Sequence, residues 1–67
     1  MVEYQVVIND TESYFDSVSD ALSFLFKKEK VGMILEATVY SGIRATDGVF
    51  EARQEVMRYF TLDKENQ

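Results

Sequence analysis

Neither cysteine nor histidine occurs among the 67 residues. A chain this short must therefore hold its fold without disulfides and without thiolate or imidazole metal sites. Domains of this size bury only roughly 60% of the surface they expose when unfolded. One ordinary apolar core, or a homo-oligomer, has to supply the stability. A hydrophobic fraction of 46% suits a folded chain rather than a disordered one. The sequence reads as one domain over 1–67, with the polar stretch 61–67 a frayed tail.

The missing residue types also limit the chemistry. Without histidine or cysteine the chain lacks the commonest proton shuttle near neutral pH and the strongest nucleophile. Its serines have no histidine to activate them, and Gly32, Gly42 and Gly48 are too isolated to form a phosphate loop. A non-enzymatic protein without cofactor is expected. No apolar run approaches the roughly 20 residues of a membrane span, and Met1–Tyr4 lacks the basic start of a secretory signal. No membrane association and a cytoplasmic location are expected.

Charge is unevenly placed. The net charge is −5, and residues 1–26 carry Glu3, Asp10, Glu12, Asp16 and Asp20 with no base. Acids and bases balance in the remainder. Such a patch repels phosphate backbones, so direct nucleic-acid binding is not expected and a basic protein partner is. As a divalent-cation site the acids fail the EF-hand template. Counted from Asp10, the sixth position is Phe15 rather than glycine and the twelfth is Ala21 rather than glutamate.

Periodicity orders the elements. Val2, Tyr4, Val6 and Ile8 alternate as one face of a strand. Asn9–Glu12 is a polar turn, and Ser13–Asp16 a short return strand. Ser17 is the expected N-cap of a helix running to about Glu29, with Val18, Ala21, Leu22, Leu25 and Phe26 on its buried face. Gly32 suits the residue after the helix end. Phe24 falls either on the flank of that face or outside it. Met33–Ser41 is the strongest strand, with Met33, Leu35, Ala37 and Val39 on its apolar face and a break or bulge at Ser41-Gly42.

Two readings compete after Ala45. Asp47-Gly48 is a hairpin signal. Against it, Glu51–Arg58 is dense in helix formers, and Val49, Ala52, Val56 and Phe60 recur at helical spacing. The second reading is the stronger. It predicts a small α+β sandwich, β-β-α-β-α, whose three-stranded, mainly antiparallel sheet carries two helices on one face.

On this scheme Arg53 falls inside the apolar arc of the second helix. It would snorkel, pair with a carboxylate such as Glu36, or serve an interface. Tyr14, Phe24, Tyr40 and Tyr59 lie at the edges of the expected core, where they either cover its flanks or act as binding anchors. The partner-binding candidates are thus Asp10, Glu12, Asp16, Asp20, Tyr14, Phe24, Tyr40, Arg53 and Tyr59.

The expected function is that of a small acidic protein-binding module, regulatory or inhibitory and homodimeric. In kind it resembles small phage or mobile-element proteins that bind and disable a host enzyme. Two alternatives are an acidic nucleic-acid mimic that blocks a host or defence enzyme, and a structural or assembly subunit.

Overall fold

The computed structural model describes residues 2–30 and 36–60. Within them the order is β1 (Val2–Ile8), β2 (Thr11–Phe15), α1 (Val18–Lys30), β3 (Glu36–Arg44) and β4 (Phe50–Phe60). All strand pairs are antiparallel, and the sheet order is β2-β1-β3-β4. The described residues thus form four strands and one helix, β-β-α-β-β. This corrects the expected three-stranded sheet with two helices.

The correction lies in the last element, which is a strand and not a helix. Ala45–Gly48 close a turn in which Gly48 N donates to Ala45 O at 2.9 Å and Ala45 N to Val49 O at 2.9 Å. Gly48 adopts φ 87°, a conformation that glycine enters without cost, and Val49 N donates to the Asp47 carboxylate at 3.0 Å. The hairpin signal therefore overrides helix propensity, which is a weak prior against tertiary pairing.

The helical spacing does not correspond to a face of the strand. Opposite β3 the register slips twice. Val39 and Tyr40 face Met57 and Glu55, skipping Val56, and Ser41 and Gly42 face Gln54 and Ala52, skipping Arg53. Each bulge adds one residue to the period of two. Val49, Ala52, Val56 and Phe60, the residues at helical spacing, therefore do not share one face: Val49 precedes the strand and Val56 sits at a bulge, while Phe50, Ala52, Glu55 and Arg58 lie on one side.

The first hairpin is tighter than its sequence suggested. Ile8 pairs directly with Thr11, leaving Asn9 and Asp10 as the turn with φ 48° and 75°. Positive φ at both central residues matches the twist of the flanking strands, and Asn and Asp tolerate it. The helix begins as expected, with Asp20 N donating to Ser17 Oγ at 3.1 Å. The suggested helix-end Gly32, the strand start at Met33–Leu35 and the tail 61–67 lie outside the described residues.

One face of the sheet carries α1. The buried core consists of Val6, Ala21, Leu25, Ala37 and Val39, flanked by Tyr4, Ile8, Phe15, Leu22, Phe24, Met57 and Tyr59. Alanines on both the helix and the sheet leave room for close approach. The buried arc of α1 is turned toward Phe24, which packs on Phe15 with ring centroids 5.1 Å apart. Phe26, expected inside, is half exposed, and Val18 is exposed as well. The other face has no covering layer among the described residues.

Candidate functional site

Strand register defines the uncovered face. Side chains directly opposite in adjacent strands share a face. Glu12 and Tyr14 of β2 thus join Glu3, Gln5 and Val7 of β1, Glu36, Thr38, Tyr40 and Arg44 of β3, and Phe50, Glu55 and Arg58 of β4. The two ends of this surface are built differently.

The Arg44 end is tied together by side-chain hydrogen bonds. Arg44 Nε donates to both oxygens of the Glu3 carboxylate at 3.1 and 3.0 Å, and Nη2 donates to Oε1 at 3.0 Å. Its Nη1 donates to Gly48 O at 2.7 Å, tying the β3–β4 turn to the first strand. The hydrogen bonds from Arg44 hold the Glu3 carboxyl below the usual carboxylate range, and Glu3 in turn raises the guanidinium.

Two aromatic rings close over this pair. Tyr14 and Phe50 come from the two outer strands, yet their rings meet edge-on with centroids 5.4 Å apart. The guanidinium lies 4.6 Å from the Tyr14 centroid and 5.7 Å from that of Phe50, within cation–π range. Gly42 makes room for Phe50. A Cβ there would fall 2.6 Å from Phe50 Cζ and clash with the Glu51 carbonyl oxygen. Gln5 Nε2 donates to the Tyr14 hydroxyl at 3.1 Å, and that hydroxyl donates to Glu12 Oε1 at 3.2 Å.

The Asn9 end is open. A cleft of about 360 Å³ is lined by Val7, Asn9, Asp10, Glu36, Thr38 and Tyr40. Asn9 organises its floor by clamping the start of β3. Its backbone N donates to Glu36 O at 3.0 Å, while its Oδ1 accepts from Glu36 N at 3.1 Å. The Arg58 guanidinium on the same face is drawn to Glu55 at 2.8 Å.

Of the residues singled out in the sequence, Asp10, Glu12, Tyr14 and Tyr40 come together on this face. Asp16 and Asp20 sit where β2 meets α1. Phe24 and Tyr59 pack against the core on the helix side, and the Lys28 ammonium lies 5.5 Å from the Phe24 ring centroid. Arg53 is not in a helix. It sits at a bulge of β4, exposed, and reaches Glu51 at 3.4 Å. The suggested pairing of Arg53 with Glu36 is thereby corrected.

Glu3, Val7, Glu36, Thr38, Arg44 and Phe50 were missed by the sequence reading. Taking the Asp47-Gly48 hairpin as decisive would have set Phe50 opposite Ala45, one position from Arg44, which it faces across a longer turn. Nothing in the sequence shows that Tyr14 reaches them.

Among the described residues no group of three or more acidic side chains could hold a metal ion, and no helix is long and apolar enough to cross a membrane. No family model, curated protein or solved structure matches the chain.

Proposed function

We propose that the protein is a non-enzymatic binding module, regulatory or inhibitory, whose uncovered sheet face recognises a basic surface of another protein. The observation that carries this reading is the composition of that face. A sheet face made only for water would alternate to polar residues, but this one presents Val7, Tyr14, Tyr40 and Phe50. Tyrosine and other aromatic side chains are the usual anchors of protein interfaces.

The charge of the face selects the kind of partner. Glu3, Asp10, Glu12, Glu36 and Glu55 stand against Arg44 and Arg58, leaving the surface acidic. Two copies stacked face to face would bring like charges together, which supports a basic partner over a second copy. The acids on the face without a cationic partner among the described residues, Asp10, Glu12 and Glu36, gather at one end. A nucleic-acid mimic would be better served by acids spread along the whole surface.

β4 is poorly suited to strand addition. Two bulges and exposed Glu51, Arg53 and Glu55 interrupt this outer strand, which are the features that blunt sheet edges. Recognition through the face is the better supported route.

The test uses the full chain as bait in extracts of its native host, beside two variants. Val7→Lys places a cation in the middle of the face, and Phe26→Ala trims an exposed ring on the helix. A specific prey lost with Val7→Lys and kept with Phe26→Ala is the expected result. Prey kept by Val7→Lys and lost with Phe26→Ala would move the interface to the helix and refute this assignment.

A further inference from the structure

We infer that the cleft at the Asn9 end of the open face receives the ammonium-tipped side chain of a lysine presented by the partner protein. The inference rests on the binding reading above and names what this part of the face recognises.

Two acids alone would not distinguish a site from a solvated surface. The additional observation is Thr38. It is only 7% exposed, lies on the open face between Val7 and Arg58, and lines the cleft. Its hydroxyl takes no part in the side-chain hydrogen bonds of the described residues. Yet no sealed side-chain polar atom among them lacks a partner. The Thr38 hydroxyl therefore keeps an opening, and the cleft is the space beside it. A hydroxyl on a side chain so nearly buried, without a partner among the described residues, is one that a ligand donor would satisfy.

The lining matches a lysine in its parts. An ammonium group has three donors and no acceptor, and the cleft offers the carboxylates of Asp10 and Glu36 together with the Thr38 oxygen. Val7 and the Tyr40 ring line the cleft and supply an apolar wall for the four-carbon stem. The nearest basic group on the face, Arg58, is already paired with Glu55. A volume of about 360 Å³ falls within the roughly 300–1,000 Å³ usual for ligand clefts. A divalent ion is the poorer fit, because three or more acidic ligands do not converge among the described residues.

The experiment titrates the isotope-labelled full chain with the blocked tripeptide Gly-Lys-Gly and follows backbone amide shifts. The control is the same peptide with norleucine, which keeps the stem and lacks the ammonium. Saturable shifts centred on Asn9, Asp10, Glu36 and Thr38, at least tenfold weaker with norleucine, are expected. Asp10→Asn with Glu36→Gln should weaken the lysine peptide a further tenfold, while Asp16→Asn with Glu51→Gln leaves it unchanged. Asparagine tolerates the positive φ at position 10, and the wild-type comparison with norleucine requires no variant at all.

Shifts spread evenly over Asp16, Asp20 and Glu51 would overturn the proposal. So would equal binding of norleucine, or calcium chloride moving the same amides at lower concentration. If the cleft variants leave capture of the protein prey intact while Val7→Lys abolishes it, the lysine site falls and the binding face stands.

Discussion

The two faces of this sheet are held by different forces. On the helix side, Val6, Ala21, Leu25, Ala37 and Val39 are almost wholly sealed from water and contain no polar side chain. On the open side, the ordered part is a charge pair under two aromatic rings, and the remainder is a cleft bounded by acids. Apolar burial is non-directional and scales with area, so the helix side needs only the right volume. The open side depends on specific atoms meeting, and it leaves groups available to a partner. Stability should therefore reside on one face and recognition on the other.

That contrast can be broken most severely at Leu25. Removing its side chain leaves a cavity in the smallest possible core, and Leu25→Ala should cost about 2–5 kcal/mol by urea denaturation. A folded chain of this length has a total stability of only roughly 3–10 kcal/mol, so the variant should lose a large share of it. A loss under about 1 kcal/mol would show that the core carries less than its burial implies.

The open face is next. Gly42→Ala forces a methyl group against the Glu51 carbonyl and the Phe50 ring, and should cost about 1–3 kcal/mol. A neutral result would mean that Phe50 does not lie over β3. Ser17→Ala removes the helix cap and should cost about 0.5–2 kcal/mol on the helix side, read from the same denaturation curves.

Acid sharpens the comparison without touching the core. The carboxyl of Glu3 is lowered from its ordinary value of 4.5 by Arg44. Its contribution is thus fully present above that value and is lost as pH falls through the lower folded one. Glu3→Gln should flatten the acid side of the stability profile, with little change in slope near neutral pH. The smallest effect is expected at Arg53. Exposed and, among the described residues, paired with exposed Glu51, it should change stability by less than about 0.5 kcal/mol on substitution by alanine.

The sequence made the helix side readable and left the open side obscure, for physical reasons. Alternation in Val2–Ile8, the Ser17 cap and the Ala21–Leu25 stripe are local patterns, and each corresponds to observed structure. So does the antiparallel placement of β3 beside β1, which follows from the helical crossover. Phe26 was misplaced because the buried arc of α1 turns toward Phe24. β4 was misread because Glu51–Arg58 is dense in helix formers and Val49, Ala52, Val56 and Phe60 recur at helical spacing, whereas pairing with β3 decides the element, and that error displaced Arg53 and concealed Phe50. The Tyr14–Arg44–Phe50 cluster joins a pair from the β3–β4 hairpin to Tyr14, distant in the chain, and Phe50 needs the absence of a side chain at Gly42. No local pattern could announce it.

Division of labour between the faces is tested most directly by mapping a bound partner onto the sheet. The prey captured by the full chain would be purified and titrated into isotope-labelled protein, with methyl and aromatic resonances followed at Val7, Tyr14, Thr38 and Tyr40 on one face and at Leu22 and Phe26 on the helix. Saturating shifts confined to the first group, with the helix resonances unmoved, are the result this account predicts. Shifts centred on Leu22 and Phe26 with Val7 and Tyr40 unchanged would contradict it.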